Sequence, residues 1–338
     1  MVLELKDYQI TINGFVSRCH CKCKHCLLCS GDEKIKQVPF EKLKQLALKF
    51  DGFKEKYKMD AGLCVYNCAE YPELPEAMKV DEKISFYSGY QNLNGTRIRK
   101  GAELKEWVGY LKTCGVTNAN LSWFGEEEFH DEFANRKGYF NYLIDLANEL
   151  KSAGISWNNT VFLLKSSIGQ LEQLTDRLKV FGENIHYSFL DYRGNGKNML
   201  NEFLKEEDKA MLSEFIFNTN LFNRNKPEYE WIRMIEKNEH PKLDKRMLFL
   251  VATPDNIDKY LQMTVEDILR MFHEIDYRLQ SSIPSIEFLA DTYGNKESTM
   301  LFDFRSVLWK WMDMYFDENP QLDKTLLFSD LHTGVMWR

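Results

Sequence analysis

Short apolar segments alternate with longer segments of helical periodicity about six times between residues 8 and 200. Strands that are joined by helical crossovers lie parallel, so this alternation predicts an α/β fold of parallel strands. The predicted strands are Tyr8–Val16, Gly62–Tyr66, Lys83–Tyr87, Thr117–Trp123, Ile155–Leu164 and Asn184–Leu190. The predicted helices are Pro39–Lys56, Glu103–Lys112, Tyr139–Ala153 and Ile168–Phe181. In barrels of this kind the active site lies at the carboxyl ends of the strands.

The pattern changes beyond residue 200. The elements predicted there are the helices Thr264–Leu279 and Phe304–Phe316 and a hairpin of Thr325–Phe328 with Gly334–Trp337. Thr264 is the expected N-cap of the first helix, because Asp267 follows it at the spacing of a capping box. We expect residues 1–200 to form the core barrel and residues 201–338 to form a mostly helical extension that covers its open side.

Composition and charge disfavour several classes of protein. The chain has 338 residues, of which 44% are hydrophobic, and a formal net charge of −7. It has no apolar run of about 18 residues and no apolar signal-peptide core at its N-terminus, so we expect a cytoplasmic protein without a membrane partner. No basic stripe stands out in the sequence, so binding to the phosphates of nucleic acid is not favoured.

Five of the eight cysteines lie between Cys19 and Cys29, and none follows Cys114. A secreted disulfide scaffold is shorter and distributes its cysteines along the chain, so this cluster indicates metal binding instead. Cys19, Cys23 and Cys26 are separated by three and two residues. Three thiolates at this spacing can hold three irons of a cubane cluster and leave the fourth iron open.

A zinc site is the alternative interpretation of the same loop. His20 and His25 lie among the cysteines, and zinc takes four ligands of these types. Zinc fingers, however, usually pair two ligand sets that are about a dozen residues apart, and no second set follows downstream. The spacing favours the cluster and leaves a non-catalytic zinc-binding interaction module as the alternative. Cys21 and Cys29 are interpreted as bystanders.

The cysteine triad after a first strand resembles the signature of the radical S-adenosylmethionine (SAM) superfamily, and further segments follow in the family's order. The chain is most similar to the peptide-modifying and sulfatase-maturing (SPASM-like) branch. The segments that carry the resemblance are Cys68–Pro72 for the Gly-Gly-Glu-Pro motif, Asn94–Thr96 after the third strand, Leu121–Gly125 with Glu128–Asp131 at the fourth, Asn158–Val161 at the fifth and Arg193–Lys197 at the sixth.

The resemblance implies a partial (β/α)6 TIM-like barrel with one 4Fe–4S cluster on Cys19, Cys23 and Cys26 and with SAM bound over it. It implies that reductive cleavage of SAM gives a 5′-deoxyadenosyl radical, which abstracts hydrogen from a peptide or protein substrate. A flavodoxin- or ferredoxin-type protein is the expected reductant. A small metabolite or a nucleotide is the alternative substrate.

The resemblance also implies residues that hold SAM. They are Cys68, Ala69 and Glu70 at its amino group and His25 against its adenine. Ser122 and Asn159 lie at predicted strand ends and are candidates for contact with its ribose or carboxylate. Arg193, in a glycine turn, is a candidate for binding a carboxylate, with a structural role in the turn as the alternative. Among Cys64, Cys68 and Cys114, we expect Cys68 to be a hydrogen-atom donor and Cys114 to be structural.

The sequence departs from the family pattern in two places. Cys68 and Ala69 replace both glycines of the Gly-Gly-Glu-Pro motif, and Tyr71 precedes its proline. The peptide-modifying branch usually carries further cysteines for auxiliary clusters near its C-terminus, whereas this chain has none after Cys114. We therefore expect a single cluster.

Overall fold

A computed structural model of the chain describes residues 6–29, 31, 36–182, 184–217, 221–241, 245–323 and 336–337. The strands are β1 (Lys6–Phe15), β2 (Asp60–Tyr66), β3 (Tyr90–Asn92), β4 (Asn118–Trp123), β5 (Ser156–Phe162), β6 (Ile185–Ser188), β7 (Asn225–Pro227), β8 (Lys245–Val251), β9 (Leu301–Asp303) and β10 (Met336–Trp337).

The helices cover the barrel and make up most of the extension. They are α1 (Phe40–Leu48), α2 (Phe53–Tyr57), α3 (Leu74–Ile84), α4 (Gly101–Thr113), α5 (Glu127–Phe133), α6 (Tyr139–Ala153), α7 (Leu171–Lys179), α8 (Glu214–Phe217), α9 (Leu221–Arg224), α10 (Glu228–Glu236), α11 (Ile257–Gln262), α12 (Val265–Ser282), α13 (Ile286–Tyr293) and α14 (Phe304–Glu318). None of these helices is long and apolar enough to span a bilayer.

The strands of the first 200 residues form two parallel groups. β1 pairs with β2, and β3, β4, β5 and β6 pair in chain order, every pair parallel. The predicted α/β class, the partial (β/α)6 TIM-like barrel and the mostly helical extension are therefore confirmed.

The extension contributes to the same sheet. β8 lies parallel to β1 along its other edge, with Leu248 opposite Ile10, and β10 pairs antiparallel with β8. β7 and β9 form a separate two-stranded sheet. The division of the chain at residue 200 remains a proposal, since β8 follows that point and yet completes the edge of the barrel.

Alternation along the strands separates an apolar outer face from a polar inner face. In β4, Ala119, Leu121 and Trp123 are fully buried, whereas the residues between them are only half-buried. Trp123 packs on Phe140 of α6, with 5.4 Å between the ring centroids. Because successive side chains of a strand point to opposite faces, the residues between these apolar ones line the interior of the barrel.

The prediction of a strand over Lys83–Tyr87 is wrong. Residues up to Ile84 belong to α3, and the third strand is Tyr90–Asn92. The apolar residues before Ile84 recur at helical spacing, as Leu74, Ala77, Met78 and Val80, and all are buried. A proline in the first turn of α3 is compatible with a helix start, because the N–H that it lacks has no partner within the helix.

Other predicted elements differ only in detail. The helix predicted over Pro39–Lys56 is divided into α1 and α2 at Gly52, which has a positive φ of 73°. The capping box before α12 is confirmed, because the Asp267 N–H donates to the Thr264 hydroxyl at 3.1 Å. Most of the predicted hairpin lies outside the described residues, which include only Met336 and Trp337 of it.

A buried carboxylate connects three helices of the extension. Glu228, at the start of α10, is fully buried, and both of its carboxylate oxygens accept from Lys310 of α14 at 2.7 Å. Its Oε1 also accepts from the Trp311 indole at 2.7 Å and from the Asn295 N–H, just after α13, at 3.2 Å. The charge is therefore paired and hydrogen-bonded, as a buried carboxylate requires.

We expect Glu228→Gln to lower the free energy of unfolding by about 3 kcal/mol, because it leaves the ammonium group of Lys310 largely buried without its counter-charge. Urea denaturation followed by tryptophan fluorescence measures the change. Glu236→Gln is the control: Glu236 is 56% exposed and pairs with Lys296 at 3.1 Å, so a loss below about 1 kcal/mol is expected. Equal losses in the two variants would contradict the role given to Glu228.

Candidate functional site

The cysteine loop is held in place by backbone hydrogen bonds to elements that are distant in sequence. Every second N–H donates to a neighbouring carbonyl: His20 to Gly95 at 2.9 Å, Lys22 to Ala134 at 3.1 Å and Lys24 to Phe133 at 3.0 Å. Gly95 follows β3, and the other two carbonyls lie at the end of α5. The loop is thereby fixed across the carboxyl ends of the strands, where a parallel barrel places its active site.

The cysteines of the chain differ in exposure. Cys19, Cys23 and Cys26 are half-buried, as is Cys29, whereas Cys21, Cys68 and Cys114 are buried and Cys64 is exposed. Within the described part of the chain, no three Cys, His, Asp or Glu side chains converge on a single point. The thiolates of a cubane do not need to converge, since each binds a different iron.

Gly95 makes room for the first thiol of the triad. It has a φ of 71°, and a Cβ placed on it would lie 2.0 Å from the Cys19 Sγ. A side chain at this position would therefore displace the Cys19 thiol. Cys21, in contrast, is turned toward Arg136, whose Nη1 lies 3.7 Å from its Sγ and donates to the Thr96 carbonyl at 2.6 Å.

Glu70 lies beside the loop, in a cavity of about 700 Å³ that Cys19 also lines. Its Oε1 accepts from Arg99 Nη1 at 2.5 Å and from the Arg97 N–H at 2.9 Å, and its Oε2 lies 3.0 Å from His20 Nε2. The Arg99 guanidinium stacks on Trp107 at 4.3 Å and is 8% exposed. Glu70 is thus oriented by groups that the sequence motif does not contain.

The same cavity has both signs of charge. It is lined by four arginines and lysines and one carboxylate, together with three further polar side chains: Arg18, Lys22, Arg97, Arg99, Glu70, Ser17, His20 and Gln37. An excess of positive charge over a single carboxylate favours a ligand that carries an anionic group and, close to it, a cationic one.

His25 lies in an aromatic cluster beneath the loop. Its ring is 4.6 Å from Phe162, 4.9 Å from Phe124 and 5.3 Å from Phe133, measured between centroids. Burial lowers the pKa of His25 to about 4, and burial lowers that of the neighbouring His130 to about 3, so both rings are neutral at pH 7. The predicted contact between His25 and an adenine stays a prediction.

The inner face of the barrel is lined by uncharged polar groups. Asn92, Asn120 and Asn158 are direct partners across β3, β4 and β5. In the next layer, Ser122 is the partner of Thr160. A hydrogen bond joins the two layers, in which the Thr160 hydroxyl donates to Asn120 Oδ1 at 2.8 Å.

The structure places Ser122 on this inner face, at the carboxyl end of β4. Its N–H donates to Asn94 Oδ1 at 2.7 Å, and Asn94 Nδ2 donates back to the Ser122 hydroxyl at 3.0 Å. Asn94 thereby joins the segment after β3 to β4. Ser122 faces the interior, where a ligand above the strand ends would be.

Asn159 does not lie with these residues on the inner face, so its predicted contact with the cofactor stays a prediction that the structure does not favour. It is 2% exposed, and its Oδ1 accepts from the indole N–H groups of Trp123 at 3.0 Å and Trp157 at 3.2 Å. Asn159 therefore points toward the helices, and its neighbour Asn158 points into the barrel. The sequence of β5 contains a signal for this orientation, because alternate residues of a strand share a face. Asn159 shares its face with the apolar residues Trp157 and Val161.

Cys68 and Ala69 are buried in a short 3₁₀ turn and do not line the cavity. Burial raises the pKa of the Cys68 thiol to about 12, and the nearby Cys114 contributes to the rise. The thiol that faces the barrel interior is that of Cys64, on the same face of β2 as Tyr66. The hydrogen-donor role of Cys68 stays a prediction, which its burial does not favour.

Arg193 lies beyond the end of β6 and packs against the extension. It is 4% exposed, and its guanidinium lies over the ring of Trp309 of α14 at 4.6 Å. Burial raises the pKa of the Tyr66 phenol, Cys64 adds to this rise, and the charge of Arg193 opposes it. Sequence reasoning missed Trp309, because its helix carries the apolar periodicity of an ordinary core element.

We expect Asn159→Ala to lower the free energy of unfolding by about 2 kcal/mol, because two buried indole N–H groups lose their acceptor. The matched variant Asn158→Ala changes a side chain of the barrel interior and is expected to cost less than about 0.5 kcal/mol. Urea denaturation of both variants measures the difference. A larger loss of unfolding free energy in Asn158→Ala than in Asn159→Ala would contradict the assignment of Asn158 to the inner face of β5 and Asn159 to its outer face.

No protein-family model matches this sequence, and no curated protein matches it. Among solved structures, native anSMEcpe with bound AdoMet and the Cp18Cys peptide is 14% identical, with a TM-score of 0.53 over 95% of this chain and 99% of that chain. This likeness shows that the two chains share their fold. In a second anSMEcpe structure, with bound AdoMet, the alignment has a TM-score of 0.45 at 16% identity and covers 71% of this chain and 64% of that one.

Two other solved structures are less similar. SuiB from Streptococcus suis is 13% identical with a TM-score of 0.43, over 73% of this chain and 50% of that one. Coproporphyrinogen III oxidase (HemN) from Escherichia coli, described as a radical SAM enzyme, is 12% identical with a TM-score of 0.39, over 63% of this chain and 48% of that one.

Proposed function

We propose that this chain is a radical SAM enzyme that carries one 4Fe–4S cluster on Cys19, Cys23 and Cys26. The observation that carries the proposal is the position of the triad in a loop fixed across the strand ends, with Gly95 leaving room for the Cys19 thiol. When bound, a cluster with one iron open supplies the electron that cleaves SAM to a 5′-deoxyadenosyl radical.

The cavity beside the loop suits the amino-acid end of SAM. Glu70 offers a carboxylate for an ammonium group, and Arg18 and Lys22 offer cations for a carboxylate. The carbonyls of Cys68 and Ala69 already accept from the Tyr71 N–H at 2.8 Å and the Trp107 indole at 3.3 Å. We propose that the Glu70 side chain, which lines the cavity, recognises the ammonium group.

The remaining residues of the proposed SAM site lie around the same end of the barrel. His25 offers a neutral ring within an aromatic cluster, Ser122 offers a hydroxyl on the inner face, and Arg193 offers a guanidinium that packs on Trp309. Asn159 is left out, because its amide is used by two tryptophans.

We propose a peptide or protein as the substrate. The likeness of fold to anSMEcpe, whose structure holds the Cp18Cys peptide, supports this class. The inner face of the barrel supports it too, because amide and hydroxyl side chains such as Asn120 and Asn158 can hydrogen-bond to the polar groups of a peptide. An external one-electron donor of flavodoxin or ferredoxin type completes the proposed reaction.

The first test is formation of 5′-deoxyadenosine. After anaerobic reconstitution with iron and sulfide, the protein with dithionite and SAM is expected to form this product, which chromatography detects. Cys23→Ala is expected to abolish it, because one iron loses its thiolate. The control Cys114→Ala removes a cysteine at the end of α4 and should retain it. Bound zinc without sulfide would contradict the proposal and favour a zinc-binding module.

The second test concerns the space around Cys19. Gly95→Ala is expected to lose more than about half of the bound iron and sulfide, because its Cβ would overlap the Cys19 Sγ. Gly101→Ala is the matched control, since Gly101 also has a positive φ, of 54°, but has nothing within 4 Å of the position that a Cβ would take. Iron and sulfide analysis measures both variants. Equal iron and sulfide contents in the two variants would show that the space at Gly95 does not control cluster binding by the three cysteines.

A further inference from the structure

The inner face of the barrel is accessible, whereas its outer face is packed against helices. Cys64 on β2 and Asn92 on β3 point inward, and both are exposed. Ala61 on β2 and Leu121 on β4 point the other way and are fully buried. A ligand of suitable size can therefore contact the inward-facing side chains.

This inner face offers hydrogen-bonding groups and almost no charge. Among the described residues that point inward from β2 to β6, Asp60 is the one aspartate, glutamate, lysine or arginine. Asp60 lies at the amino end of β2, where its carboxylate accepts from the Phe86 N–H at 2.7 Å and from Gln9 Nε2 at 3.3 Å. The layers between Asp60 and the cysteine loop thus have no counter-charge for a charged substrate group.

Three of the ionisable groups that point inward are neutral at pH 7. Cys64 has free surface but is surrounded by the barrel, so burial, with a contribution from Asp81, raises the pKa of its thiol to about 12. Burial also raises the pKa of the Tyr66 and Tyr90 phenols. The fourth group is the imidazole of His186, which Thr160 separates from β4.

Three asparagines form a row across β3, β4 and β5, and we call Asn92, Asn120 and Asn158 the asparagine row. Two of their carbonyl oxygens are in use, because Asn92 Oδ1 accepts from the Asn94 N–H at 3.0 Å and Asn120 Oδ1 accepts from the Thr160 hydroxyl at 2.8 Å. Within the described part of the chain, no group bonds to the three Nδ2 groups or to Asn158 Oδ1. The row therefore offers three amide donor groups and one amide acceptor.

This set of donors and acceptors matches a primary carboxamide. The carbonyl oxygen of a carboxamide can accept from Asn120 Nδ2 and Asn158 Nδ2, while its NH2 group donates to Asn158 Oδ1. A carboxylate has no donor for Asn158 Oδ1, and it would bring an unpaired charge into the barrel. An ammonium group is a donor only, and it would meet a surface that consists mostly of donors.

We infer that the asparagine row binds the carboxamide of a glutamine or asparagine residue in the peptide substrate, an inference that rests on the proposed function. The residue that carries the carboxamide occupies the barrel interior beneath the cysteine loop. The row lies one layer below Ser122, which we propose as a SAM contact, so the peptide residue and SAM occupy adjacent layers. The asparagine row is thus a determinant of substrate specificity.

The test compares four guest residues in one host peptide. Blocked glycine–serine peptides carry a single central Gln, Glu, Lys or Met, and isothermal titration calorimetry at pH 8 measures their dissociation constants for the cluster-loaded protein with SAM. At this pH an imidazole of ordinary pKa is neutral, which removes its attraction for a carboxylate. We expect the Gln peptide to bind at least about 10-fold more tightly than each of the others, because only a carboxamide satisfies the row.

A pair of variants assigns this preference to the row. Asn158→Leu removes the amide whose two ends are both unused, and it is expected to bring the dissociation constants of the Gln and Met peptides within about twofold of each other. The control Asn148→Leu changes an exposed asparagine of α6 and is expected to keep the preference of the wild type. If Asn158→Leu does not fold, Asn158→Ala replaces it.

The inference is overturned if the Glu, Lys or Met peptide binds the wild type as tightly as the Gln peptide, or if no peptide binds. It is also overturned if the Asn158 variant keeps the preference, or if Asn148→Leu loses it equally. Iron and sulfide content and 5′-deoxyadenosine formation are measured on the same preparation. If both are normal, only the inference has failed, whereas a protein without iron and sulfide contradicts the proposed function itself.

Discussion

The hydrogen bonds that hold the cysteine loop on the strand ends are the constraint on which the proposed site depends. Three N–H groups, from His20, Lys22 and Lys24, are bound by carbonyls that lie more than 70 residues away. A loop of this kind has little regular structure of its own, so the orientation of its thiols is set by these partners. The cysteines of the loop are half-buried or buried, whereas the basic residues between them are exposed.

The same arrangement connects the loop to the SAM-binding groups that we propose. Gly95 accepts the His20 N–H and also leaves room for the Cys19 thiol. Glu70 is held from one side by Arg99 and from the other by His20. The loop and the cavity are therefore structurally coupled. A substitution at Gly95 or His20 alters the contacts of both.

Residues of both the barrel and the extension enclose the interior. β8 continues the sheet beyond β1, and Trp309 of α14 stacks on Arg193 beyond the end of β6. Buried Glu228 binds Lys310 and Trp311 of α14, the helix that also carries Trp309. The position of Arg193 above the strands thus depends on packing within the extension.

The sequence by itself determined the cysteine spacing, the order of the motifs, and most strands and helices, because spacing and periodicity are local properties. It failed at β3, which is only three residues long. It did not show that the Asn159 side chain points toward the helices, because this direction depends on the alternation of side chains along the whole strand. Only the tertiary structure decided that Arg99 and His20 orient Glu70, that Gly95 accommodates Cys19, and that the loop exposes the basic side chains between its cysteines. These relations join residues distant in sequence, and no local pattern encodes which distant groups meet when the sheet closes.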